Sequence, residues 1–107
     1  MALVFVEWSS FSRRRAELLT EEEFRALQNE IIQTPEKGKL IPGSGGLRKI
    51  RLGVQGSGKS GGARVIYYYV VIADRIHLLY LYRKNEQEDL TADQMNAIRK
   101  AIAGERL

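Results

Sequence analysis

The chain has 107 residues, of which 44% are hydrophobic and 28% charged, with a formal charge of +4 and no cysteine. That length holds one hydrophobic core and not two, so one globular domain spanning residues 1–107 is expected, and the composition excludes a disordered chain. Without thiols there can be no disulfide, thiolate metal site or cysteine nucleophile.

The opening MALVFVEW is apolar but runs straight into Glu7 and then Arg13, Arg14 and Arg15. It offers no small-residue cleavage site and falls short of a membrane span, which predicts a soluble cytoplasmic protein. Leu3 to Trp8, rich in valine and aromatic residues, reads as a first strand. Ser9, Ser10 and Ser12 supply helix-start chemistry, and Phe11, Arg15, Leu18 and Leu19 recur at helical spacing, with Arg13 and Arg14 pointing outward. Thr20 with Glu23 three residues later forms a capping-box pattern, and Glu21 to Glu23 place negative charge where the helix dipole favours it. Phe24, Leu27, Ile31 and Ile32 share one face of this second helix until Pro35 stops it. The two helices meet at Leu19–Thr20, so they form a tight hairpin able to cover one face of a sheet.

PEKGKLIPGSGG, residues 35–46, reads as loop. Leu47 to Leu52 is a strand whose period of two puts Lys49 and Arg51 on one face and Ile50 and Leu52 on the other. Arg64 to Ile72 is the most β-prone segment and should be central; Ala73-Asp74 turns it into Arg75 to Tyr82. Thr91, with Gln94 three residues on, caps a last helix carrying Met95, Ile98, Ala101 and Ile102 on its apolar side, and Gly104 ends it. The order β, α, α, β, β, β, α predicts an α+β fold. Its small antiparallel sheet joins the N-terminal strand to a three-stranded meander, with an N-terminal helical hairpin and a C-terminal helix.

Charge is segregated along the chain. Lys37, Lys39, Arg48, Lys49, Arg51, Lys59 and Arg64 fall in a stretch, Lys37 to Ala73, with no carboxylate, while the remainder carries ten basic and thirteen acidic residues. A +7 segment in a −3 body points to a polyanionic partner, most simply nucleic acid. Within it, GVQGSGKS at positions 53–60 satisfies the phosphate-loop pattern G-x-x-x-x-G-K-[ST]. That pattern works only where a helix begins directly after the loop, because helix N-terminus and loop amides hold the phosphates together. Here Gly61-Gly62 and a tyrosine-rich strand follow, so nucleotide hydrolysis is rejected and no nucleotide cofactor is expected. The glycines and Lys59 still suit contact with a phosphate backbone.

LIPGSGGLRKIRL, then GSGKSGGARVIYYY, then LYLYRKNEQEDLTADQ resemble the RelE/HigB toxins of bacterial type II toxin–antitoxin modules, closest to the HigB-like branch. The resemblance covers nearly the whole chain. It implies a RelE-like fold and a ribosome-dependent messenger-RNA endonuclease, held by a cognate antitoxin that often carries a helix-turn-helix. Lys49 and Arg51 resemble the family's paired basic residues on the second strand, Arg64 its arginine at the scissile phosphate, and Lys84 the basic residue at the rim. A tyrosine that RelE-like enzymes use as a base is replaced here, with Thr91 standing about where it would be.

Metal-free RNA cleavage needs a deprotonated 2′-hydroxyl and cations where charge grows on the phosphoryl oxygens, a role that fits Arg64. For the base, three candidates stay open: Lys49 and Lys84, crowded by other cations, and Glu86, the carboxylate nearest the motif. Arg48, Lys59 and Arg83 are expected to add RNA contacts. His77, mid-strand, reads as structural. No carboxylate or cysteine cluster in the positive segment suggests a metal. Tyr67 to Tyr69 could stack on bases, but on a central strand they suit the core better. A non-catalytic RNA-binding domain and a gyrase-poisoning toxin of the ParE type are the competing functions.

Overall fold

The computed structural model describes residues 3–54 and 62–105, so Lys59 and most of the glycine loop lie outside the described residues. The elements are β1 (Val4–Glu7), α1 (Ser9–Leu18), α2 (Glu21–Gln33), β2 (Lys39–Leu40), β3 (Arg48–Val54), β4 (Gly62–Val70), β5 (Arg75–Arg83) and α3 (Ala92–Gly104). They form the expected α+β arrangement around a five-stranded sheet in the order β1-β5-β4-β3-β2, with β4 at its centre.

Two features extend the predicted sheet. β1 runs parallel to β5, pairing Val4 with Arg75 and Glu7 with Leu78, whereas the other neighbours are antiparallel. The sheet is therefore mixed, because α1 and α2 carry the chain back before the meander begins. The segment 35–46, read as loop, also contributes the two-residue edge strand β2, with Lys39 opposite Lys49 and Leu40 opposite Arg48. At the far end β4 stops at Val70 instead of Ile72. Val71–Ala73 form one 3₁₀ turn, and Asp74 takes a left-handed conformation at φ 51° that reverses the chain.

Each face of the sheet has its own apolar cluster. On one, the helical hairpin packs Phe11, Phe24, Leu27 and Ile31 against Ile50, Leu52, Val65, Tyr67, Leu78 and Leu81. On the other, Leu47, Ile66, Leu79 and Tyr82 gather Trp8, Ile41 and the Met95, Ile98 and Ile102 side of α3. A β-bulge keeps the two in phase. Tyr67 pairs with Leu78 but Ile66 with Tyr80, which leaves Leu79 as the extra residue. Strict alternation would put Leu78, Tyr80 and Tyr82 on one face; the inserted residue sends Leu81 to the hairpin side and Tyr82 to the α3 side. The carbonyl that a bulge releases needs a donor, and the Ser10 hydroxyl donates to the Leu79 carbonyl at 2.6 Å.

That use of Ser10 corrects the expected start of α1. Its N-cap is Trp8, which makes no side-chain cap bond, and Ser12 donates to Glu7 instead. Arg14, expected on the outer face, is half-buried and ion-paired with Glu86, while Arg13 is exposed. The capping boxes of α2 and α3 form as predicted, at Thr20/Glu23 and Thr91/Gln94. Arg15 ties β1 to α2, bonded to Glu7 and Glu21 at 3.1 Å each, and lies 4.1 Å from the centre of the Phe24 ring.

Candidate functional site

α3 is shorter than the face it lies on, and the uncovered part of that face is polar. Since side chains alternate along a strand, β3 turns Lys49 and Arg51 to this side while Ile50 and Leu52 enter the hairpin core. β4 turns Arg64 the same way, between the core residues Ala63 and Val65. Lys84 follows β5, its N–H donating to the Gly62 carbonyl at 3.0 Å, which prolongs the β4–β5 ladder by one residue. Lys49, Arg51, Arg64 and Lys84 consequently line one open cleft of about 240 Å³, with Glu88 and Asp89 from the loop before α3 on its rim.

The pairing within the floor is specific. Arg51 lies directly opposite Arg64, and Arg64 directly opposite Tyr82, so two guanidinium side chains and a phenol form one cross-strand row. Like charges so placed repel and weaken a sheet. Arg64 is only 4% exposed, and its guanidinium donates to the Ala63 carbonyl at 3.2 Å. An arginine in this position serves an external anion well, since it is partly dehydrated and its direction is set by the strand.

Asp89 is bonded to Lys49 at 2.6 Å, and this contact holds its carboxyl below the usual aspartate range. Tyr82 is fully buried, and its hydroxyl finds no hydrogen-bond partner among the described residues. Burial, reinforced by the charge of Asp89, pushes that phenol up to about 12, so it remains a neutral donor at any physiological pH. Neither Asp89 nor Glu88 nor Tyr82 was among the expected site residues. Asp89 lies 40 residues from Lys49, a contact no local pattern reveals. Tyr82 reaches this face only through the bulge at Leu79.

The other expected site residues sit elsewhere. Glu86 accepts the Arg83 backbone N–H at 2.8 Å and pairs with Arg14 of α1; the backbone bond first, then Arg14, lowers its pKa. It is thus engaged outside the cleft and is a weak proton acceptor. Arg48 points to the β2 side, donating to the carbonyls of Glu36 at 3.0 Å and Gly38 at 2.7 Å. Arg83 lies beside the hairpin junction with Leu19, Thr20 and Glu23. His77 is buried and accepts the Trp8 indole N–H at 2.9 Å, which supports the structural reading. Tyr67 is fully buried, and Tyr68 and Tyr69 half-buried. A strand begins at Gly62, where the phosphate-loop pattern calls for a helix. Among the described residues, no helix is long and apolar enough to cross a membrane.

Residues 9–106 match the family model described as the RelE toxin of the RelE/RelB toxin–antitoxin system. Among solved structures, a mutant of the E. coli toxin RelE in the free state is similar at TM-score 0.65 and 14% identity, over 95% of this chain and 98% of that one. The isolated E. coli RelE toxin aligns at TM-score 0.60 and 14% identity, over 94% and 99% of the two chains. A chain of the intact E. coli RelBE toxin–antitoxin complex aligns at TM-score 0.59 and 16% identity, over 75% and 94%.

Proposed function

The chain belongs to the RelE toxin family, and from this premise we propose that it is a ribosome-dependent endoribonuclease that cuts translated messenger RNA in the cytoplasm. A cognate antitoxin neutralises it. The observation that carries this reading is the convergence of Lys49, Arg51, Arg64 and Lys84 on one cleft, with an arginine pair directly opposed across two strands.

Arg64 and Arg51 bind the non-bridging oxygens of the scissile phosphate. As the 2′-oxygen attacks phosphorus, charge on those oxygens grows, and fixed guanidinium donors stabilise that state more than the ground state. The new O2′–P bond forms as the bond from phosphorus to the 5′-oxygen breaks, leaving a 2′,3′-cyclic phosphate and a 5′-hydroxyl. One proton leaves the 2′-oxygen and one arrives at the 5′-oxygen. Arginine keeps its proton, so that exchange falls to the cleft's other titratable groups, Lys49, Lys84, Glu88 and Asp89. No metal ion and no nucleotide cofactor enters these steps.

The test is primer extension on messenger from cells expressing the wild type or Arg64→Ala, with toxicity scored in parallel. Removing one donor of this kind is expected to lower cleavage by about 10²–10³-fold. Unchanged cleavage by a folded Arg64→Ala protein would overturn the assignment. Broken DNA with intact messenger would transfer the chain to the gyrase-poisoning class, and salt-dependent RNA binding with no cut would reduce it to a binding domain.

A further inference from the structure

Three of the cleft's four cations, Lys49, Arg51 and Arg64, stand on strands, whereas Lys84 lies one residue beyond the end of β5. Its N–H turns toward β4, to the Gly62 carbonyl, so the N–H of Arg83 turns the opposite way. On that side β1 pairs with β5 only as far as Leu78, and among the described residues no strand meets Arg83. A side chain takes the place of one: the Glu86 carboxylate accepts the Arg83 N–H at 2.8 Å. The Arg83 carbonyl in turn accepts the N–H groups of Glu86 at 3.0 Å and Gln87 at 3.3 Å, which closes residues 83–87 into a turn around Lys84.

The same Glu86 oxygen is held from α1. Ser10, which donates to the Leu79 carbonyl, and Arg14 are four residues apart and share a helix face. Arg14 is ion-paired with Glu86, so one face of α1 fastens β5 at its bulge and again at its end. The two side chains are 27% and 40% exposed, and a pair that open adds little to global stability. Its effect is local. The far end of the loop is held separately, since the Gln87 amide donates to the Asp89 carbonyl at 2.9 Å and to Gln94 of the α3 cap at 2.7 Å. The Arg14–Glu86 pair therefore governs the Lys84 end of this loop and not the Asp89 end.

We propose that Arg14 and Glu86 are positioning residues for RNA cleavage, and that their ion pair fixes the turn from which Lys84 reaches the cleft. The inference rests on the nuclease reading and names what keeps the fourth cation in place. Lys49, Arg51 and Arg64 repel the Lys84 ammonium across an open cleft. A lysine stem is flexible, and on a loose turn it would swing outward into water. Neither proton transfer nor stabilisation of a phosphoryl oxygen tolerates this, since a misplacement of about 1 Å costs about a hundredfold in rate. Arg14 and Glu86 touch no substrate; they act through Lys84.

The experiment measures single-turnover cleavage of messenger on purified ribosomes by the whole protein, and the dependence on ribosome concentration separates binding from the cutting step. Glu86→Ala and Arg14→Ala are each expected to lower the maximal cleavage rate by about tenfold to a hundredfold and to leave half-saturation unchanged. Combined with Lys84→Ala, Glu86→Ala should add no further loss, because nothing is then left to position. Denaturation midpoints should stay near the wild-type value. Should alanine prevent folding, Glu86→Gln, which keeps an acceptor for the Arg83 N–H, takes its place in the cycle. Undiminished cleavage by folded Glu86→Ala and Arg14→Ala, a change in half-saturation alone, or a Glu86→Ala penalty that persists in full beside Lys84→Ala would overturn the proposal. A wild type that cuts no messenger would instead overturn the nuclease reading, and this role with it. Only a wild type that cuts, with one of those three results, overturns the positioning role alone.

Discussion

The two faces of the sheet are made by the same three strands, yet they do opposite things. On the hairpin side, Ile50, Leu52, Val65, Tyr67, Leu78 and Leu81 meet Phe11, Leu27 and Ile31 in one dry cluster. On the α3 side, Ile66, Leu79 and Leu47 form a smaller cluster that gives way to Lys49, Arg51 and Arg64. The contrast teaches where stability and charge reside. A sheet wholly supported from one side can carry repelling cations on the other, because the hairpin core and not the cleft face holds the strands in register. Substitutions on the two faces should accordingly separate folding from activity, with Arg64→Ala marking the activity extreme.

Leu27→Ala marks the other. Leu27 is fully buried between α2 and the sheet, and truncation leaves a cavity with a loss of about 2–5 kcal/mol. Chemical denaturation should show that loss, while cleavage per folded molecule stays at the wild-type value. A drop in specific activity matching the drop in stability would mean that the cleft is not mechanically independent of the hairpin core.

Tyr67→Phe probes a hairpin-side residue that ties the segment before β2 to the sheet. Its hydroxyl accepts from the Gly38 N–H and donates to the Pro35 carbonyl at 2.8 Å, and phenylalanine leaves both unpaired. The expected loss is about 1–3 kcal/mol. Hydrogen exchange should accelerate at Gly38 and β2 but not at β4 or β5. Uniform acceleration would show that the loop before β2 is no separate unit.

The sequence was most informative where a local period or cap decides the outcome. Lys49 and Arg51 facing away from Ile50 and Leu52 follows from alternation alone, and Thr20/Glu23 and Thr91/Gln94 announce their helices because the capping bonds span three residues. What lay hidden depends on distant partners. Glu86 looked like a cleft carboxylate until Arg14, 72 residues away, drew it to α1. Asp89 was passed over beside it, and the bulge that redirects Tyr82 leaves no mark in a run as uniformly apolar as LLYLY.

The smallest effect expected is a pH dependence on the α3 side. His77 accepts the Trp8 indole N–H through Nδ1, so this bond needs the neutral ring. Burial first, and then the charge of Arg75, partly opposed by Glu105, push its pKa below the usual histidine value. The unfolded chain therefore binds a proton that the folded one refuses, so stability rises with pH across this range. The contribution is complete above about pH 6.5, the unfolded value, and declines as pH falls from there toward the depressed folded value. His77→Gln keeps an acceptor for Trp8 and cannot titrate. Between pH 8 and pH 5 the denaturation midpoint of the wild type should fall further than that of the variant. Glu86 and Asp89 titrate lower and are common to both proteins, so they cancel from the difference. Parallel pH profiles would mean that the imidazole gains a proton in the folded state without losing its place against Trp8, and the small apolar cluster on this face would then be looser than the hairpin core by more than the cleft alone explains.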